Sequence, residues 1–167
     1  MKKSSILLLL LLVCLVFSGC ADWTKNEQVI AGIENLNLAD PSVITFRGMG
    51  DGFLGGTGAK IAQLQIIAEI ESVQDSTLPP DLVKDIKIKI INYLQSKGCL
   101  IHGGGYGGGI SYTDISGVEY SNVSMASIYY SLQGAEAIVD IIVIERDYKI
   151  EDHKIVGQLI IMLNEAR

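Results

Sequence analysis

Between residues 62 and 70 the chain alternates. Ala62, Leu64, Ile66, Ala68 and Ile70 are apolar, and Gln63, Gln65, Glu69 and Glu71 lie between and beside them, with Ile67 the one break. A period of two puts the apolar set on one face of an extended chain. Residues 60–73 are therefore expected to form a half-buried strand. A helical stripe through Ala59, Ala62, Ile66, Ile70 and Val73 competes with this reading, but the alternation is the fuller pattern. Asp75 to Pro80 reads as a turn able to cap a helix, and after it the period changes. Leu82, Val83, Ile86, Ile90, Tyr93 and Leu94 recur at helical spacing, with Lys84, Asp85, Lys87, Gln95 and Ser96 on the other side. Pro80 and Asp81 suit a first turn, Lys97 a last turn, and Gly98 the position beyond it. The spacing predicts a helix over 81–97.

The remaining segments read as β-structure and loops. Ser42 to Phe46 is a short β-rich run that leads into a glycine-rich stretch, 48–58, expected to be a loop. Cys99-Leu100-Ile101 is expected as a short strand, followed by a second glycine loop, 103–109. Three β-rich segments close the chain, at about 117–132, 135–147 and 154–164, with Gly134 marking the first turn and charged residues 146–153 the second. Connections this short make neighbours antiparallel. In the segment from Ala135, positions 137, 139, 141 and 143 are apolar, and so are 138, 142 and 144, beside Glu136 and Asp140. A strand apolar on both faces belongs in the middle of a covered sheet. The expected architecture is α+β: two layers, a mostly antiparallel sheet with one main helix packed on it.

The first twenty residues have a different logic. Lys2 and Lys3 precede an unbroken apolar run from Ile6 to Phe17, and Ser18-Gly19-Cys20 come directly after it. A basic start, a short apolar core and small residues at its end define a secretory signal. The run falls short of the roughly 20 residues that span a bilayer as a helix. Phe17-Ser18-Gly19-Cys20 resembles the lipobox of prokaryotic lipoprotein precursors, with Phe17 in place of the usual leucine. The resemblance covers only this segment. It implies cleavage before Cys20, which would become the first mature residue and carry a thioether-linked diacylglycerol. Two or more acyl chains suffice for stable anchoring. The expected division is a signal peptide over 1–19, a lipidated cysteine and spacer over 20–40 that holds at most a short helix, and a single domain over 41–167. The resemblance also implies an extracytoplasmic location, with Ala21 and the displaced Asp22 leaning towards an outer membrane where a cell has one.

Charge narrows the partners. The chain carries 13 Lys and Arg against 19 Asp and Glu. Loss of Lys2 and Lys3 leaves 11 against 19, a net charge of −8. Apart from Lys84, Lys87 and Lys89 there is no basic cluster, so nucleic acid is a poor partner. Electrostatic binding to anionic lipid is equally poor, which leaves the acyl chains as the membrane attachment. With Cys14 in the signal and Cys20 lipidated, Cys99 has no intramolecular partner. It reads as a small buried residue at the start of a strand rather than a reactive thiol.

The remaining motifs carry little specific chemistry. Gly50-Asp51-Gly52-Phe53-Leu54-Gly55 matches G-x-G-x-x-G, but a strand comes next where a dinucleotide site needs a helix N-terminus. Gly48, Gly52 and Gly56 share the spacing of packed membrane helices, yet Lys60, Gln63 and Gln65 interrupt any apolar span. In the stretch 103–109 six glycines surround Tyr106, with Tyr112 and Tyr120 close by in sequence. His102 and His153 are the only histidines, in no metal-binding spacing. The acidic groups around Asp114 and Asp147 lack the ligand order of a calcium loop, and no G-x-S-x-G is present. No cofactor or metal is expected. The expected function is that of a lipid-anchored envelope protein that binds or assembles with a protein partner, without catalysis, with Tyr106, Tyr112 and His102 as contact residues. Two alternatives place a site between the stretches 48–58 and 103–109: an enzyme using His102 with Asp51 or Asp114, or a solute-binding module stacking its ligand on Tyr106 and Tyr112.

Overall fold

The computed structural model describes residues 25–51, 64–73, 78–113, 118–145 and 155–166. The expected signal peptide, Cys20, most of the first glycine stretch and the charged turn 146–153 lie outside the described residues, as do Ser76, Thr77 and Asp114. Among the described residues seven strands make one sheet: β1 (Ile44–Asp51), β2 (Leu64–Ser72), β3 (Leu100–Gly103), β4 (Tyr106–Thr113), β5 (Glu119–Leu132), β6 (Ala135–Glu145) and β7 (Ile155–Glu165). The order is β1-β2-β7-β6-β5-β3, with β4 also on β5, and every pairing is antiparallel. Residues 25–31 form helix α1, which passes into a 3-10 turn at Gly32–Asn35, and Leu82–Ser96 form helix α2. The fold is α+β with a mostly antiparallel sheet, as its patterning predicts.

Local chemistry accounts for the elements read from sequence. The alternation in 64–72 becomes β2, with Ile66, Ala68 and Ile70 buried and Glu69 exposed on the other side. The apolar stripe of α2 is buried through Leu82, Val83, Ile86, Ile90 and Leu94. The helix stops where Gly98 takes φ +83°. Gln133 and Gly134, at φ +53° and +88°, turn β5 into β6 with the left-handed backbone that a tight hairpin requires. Its register runs without a shift from Leu132↔Ala135 to Val123↔Ile144.

Register then sorts side chains onto two faces. On one, Ala137, Val139, Ile141 and Val143 of β6 join Ile128 and Tyr130 of β5, Leu159, Ile161 and Leu163 of β7, and the buried residues of β2 and α2 in a single core. On the other, Val123, Ile142, Ile144 and Ile160 form a smaller cluster, against which Tyr112, Tyr120, Met125 and Met162 pack. β6 lies between β5 and β7 and is buried on both faces, which explains its two apolar registers.

Three expectations are corrected. The stretch 103–109 is not a loop: only Gly104 and Gly105 lie outside a strand, and Tyr106 begins β4. Glycine carries no side-chain pattern, so its strand state is set by pairing with β5 rather than by local sequence. The first glycine stretch likewise begins as strand, since β1 runs to Asp51. The part of the spacer from residue 25 onward belongs to the domain. Ile30, Ile33 and Leu38 are 0%, 0% and 1% exposed in the same core as the sheet. Tyr93 of α2 fixes α1 in place by donating its hydroxyl proton to the Val29 carbonyl at 2.8 Å.

Candidate partner-binding edge

β5 is the longest strand, and it carries two partners along one edge: β3 against Tyr129 to Ser131, and β4 against Glu119 to Ala126. The chain leaves α2 at Gly98, buries Cys99, forms β3, crosses at Gly104 and Gly105, and resumes on the same edge as β4. Gly104 makes the crossing possible. A Cβ there would lie 2.0 Å from the Ser127 carbonyl oxygen, and the residue sits at φ +155°. Gly105 then fixes the strand change, because its carbonyl accepts the Ser127 N–H at 3.1 Å and the Lys87 ammonium at 2.9 Å.

Beyond β3 and β4 no further strand is paired among the described residues. Among the described residues the outer side of β3 and β4 therefore has no strand partner, and the glycines at 107, 108 and 109 set no side chains along it. Large apolar side chains are exposed around it: Leu100 (67%), Tyr106 (55%), Tyr129 (45%) and Ile110 (38%). The combination of open strand backbone and flanking apolar anchors is the chemistry of recognition by strand addition.

The three contact residues expected from sequence occupy different parts of this region. Tyr106 pairs with Ala126, whose side chain is in the main core, so Tyr106 projects on the helix side of the sheet. Tyr112 pairs with Tyr120, and the two rings stack on the second face with centroids 6.5 Å apart. Tyr106 and Tyr112 thus do not share a stacking platform. His102 lies at the other end of β5, its Nε2 2.8 Å from Ser131 Oγ, exposed and far along the strand from Tyr112. The two glycine stretches are on opposite edges: Gly48 and Gly50 in β1, the second stretch in β3 and β4, with β2, β7, β6 and β5 between. The described residues do not bring them together.

The remaining polar chemistry is structural in character. Cys99 is free and 4% exposed, and burial raises its thiol pKa. Burial also pushes the Tyr130 hydroxyl above the usual phenol range, with the neighbouring Cys99 thiolate adding to the effect. Both groups stay neutral near pH 7, which suits a core and not a nucleophile. Among the described residues no three His, Cys, Asp or Glu side chains gather as metal ligands.

Sequence reading missed one polar cluster on the second face. Asp140 of β6 accepts the Ser127 hydroxyl of β5 at 2.5 Å and the Asn164 amide of β7 at 3.1 Å. These residues are 13 and 24 positions from Asp140 in the chain, so only the strand register reveals the cluster. It ties three adjacent strands and penalises a one-residue slip, which would send all three side chains to the other face. Asp140→Leu leaves two donors without their acceptor, one of them on Asn164, which is 6% exposed. A loss of about 2 kcal/mol in unfolding free energy is expected from equilibrium denaturation.

No family model matches the chain, and no match was found among curated proteins or solved structures.

Proposed function

We propose that this is a lipid-anchored envelope protein that binds a protein partner along the β3–β4 edge. In this reading Cys20 carries the acyl chains, and the folded part works as two layers, the sheet with α2 as its one main helix. The carrying observation is the placement of Ser18-Gly19-Cys20 directly after a twelve-residue apolar run and a basic start. The edge supports the binding half of the proposal, since apolar anchors and open strand backbone converge there. Action is by association and not by catalysis. The one Ser–His pair among the described hydrogen bonds, Ser131 with His102, is exposed.

Two measurements test the two halves. Mass spectrometry of the mature amino terminus is expected to show a diacylglyceryl cysteine at position 20, and Cys20→Ser is expected to move the protein from the membrane to the soluble fraction. A precursor that retains Met1 and an unmodified sulfur ends the anchoring half. For the edge, a photocrosslinking residue at position 106 or 110 in intact envelopes is expected to give one discrete adduct. The same group at Asp85, exposed on α2, should give none. Ile110→Lys should abolish the adduct from position 106 without changing the thermal midpoint. Equal labelling from positions 85 and 106, or no adduct at either edge position, removes the edge from consideration.

A further inference from the structure

We infer that the end of the domain carrying Lys25, Lys97 and the Gln133–Gly134 turn faces the lipid surface. The inference rests on lipidation of Cys20 and adds to it the orientation of the domain. It begins from where the described chain starts. Lys25 donates a hydrogen bond from Nζ to Gln133 Oε1 on the β5–β6 turn. Lys25, Gln28 and Val29 line one concavity with Tyr93, Lys97, Leu132 and Gln133. The first turn of α1, the last turn of α2 and the β5–β6 hairpin therefore meet at one end of the molecule.

Covalent geometry fixes how far that end can stand from the anchor. Five peptide units join Cys20 to Lys25, and an extended chain covers at most about 3.6 Å per residue, so the Lys25 Cα stays within about 18 Å of the lipidated residue. The opposite end is much farther away: from Ala135 to Glu145 β6 takes ten steps of about 3.3 Å, roughly 33 Å in all. The tether is shorter than the sheet is long.

Charge adds a smaller preference for the anchored end over the opposite one. Asp40, Asp81 and Asp85 lie around the N-terminal half of α2, and Glu119 and Glu145 stand at the same end of β5 and β6. Among the described residues of α2, Lys84, Lys87 and Lys89 are the cations set against these five carboxylates. An anionic leaflet repels such an end. At the anchored end Lys25 and Lys97 stand against Glu27, Glu136 and Glu165, one excess negative charge where the far end has two, so this surface meets less of that repulsion. The β3–β4 edge runs between the two ends, perpendicular to the membrane, where a partner reaches it from the side.

The test uses the lipidated full chain with single fluorophores at Gln28→Cys or Asp81→Cys. Both positions are exposed, and the native Cys99 is buried and stays unlabelled. The protein is reconstituted into phosphatidylcholine vesicles containing phosphatidylglycerol and a headgroup nitroxide lipid. Quenching several-fold stronger at position 28 than at 81 is expected. A second pair on α2 alone, Gln95→Cys against Lys84→Cys, is expected to give the same order. Equal quenching within both pairs, or the reverse order, overturns the orientation and leaves anchoring intact. Labelled protein that does not float with the vesicles overturns the anchor, and the orientation with it.

Discussion

Gly104→Ala is expected to lower the free energy of unfolding by about 3 kcal/mol or more. The readout is a fall in the denaturation midpoint at unchanged slope. Two independent effects add at this position. The backbone sits at φ +155°, which an L side chain rarely adopts, and the added methyl would meet the Ser127 carbonyl carbon at 2.9 Å and its oxygen at 2.0 Å. Neither atom can retreat easily, because Ser127 is held on its other side by pairing with Asp140 in β6. The strand crossing has to open, and β3 and β4 then no longer share one edge of β5. Gly108→Ala is the control. Its Cβ would meet only the Ser124 hydroxyl oxygen, at an ordinary 3.6 Å, and a change within about 0.5 kcal/mol is expected. Equal losses at both positions would mean that backbone entropy and not the close approach dominates.

Ile141→Ala is expected to cost about 4 kcal/mol, near the upper part of the range for emptying a packed isoleucine site. Ile141 is fully buried at the centre of β6, between Ala126 of β5 and Ile161 of β7, in the core that also takes the stripe of α2. Strands hydrogen-bonded on both sides limit how far the surroundings can collapse into the void. Ile88→Ala removes the same atoms from a side chain 49% exposed on α2, and it should change stability by less than about 1 kcal/mol. Thermal or chemical denaturation of the two variants side by side checks the pair. A loss below about 2 kcal/mol for Ile141→Ala would contradict its place in the main core.

The legibility of this fold in its sequence obeys a physical division. Elements whose side chains carry a period are legible. β2 shows its alternation, α2 its stripe between Pro80 and Gly98, and the β5–β6 hairpin its Gly134 turn between two apolar runs. β6 even discloses its central place, because only a strand covered on both faces uses two apolar registers. Elements made by partners instead of pattern are not legible. Tyr106 to Thr113 is strand because β5 supplies its hydrogen bonds, and Gly107 to Gly109 give no local sign of it. The stretch before residue 40 looks polar enough for a spacer, yet Ile30, Ile33 and Leu38 are enough to lock it into the core. The candidate edge shows in the sequence through Tyr106 and His102, but its extent depends on β3 and β4 sharing one strand. The Asp140 cluster depends wholly on long-range register.

The last of the described strands lies in the interior of the sheet. β7 separates β2 from β6, and it pairs Leu163 with Leu64 on one side and with Val139 on the other. During synthesis, therefore, the β1–β2 pair lacks the strand that joins it to β6 until β7 has emerged. Assembly must await β7 and close very long loops, a topology that folds slowly. A chain that ends early, before β7, exposes β2 and β6 as two raw edges and gives quality-control proteases an unambiguous substrate.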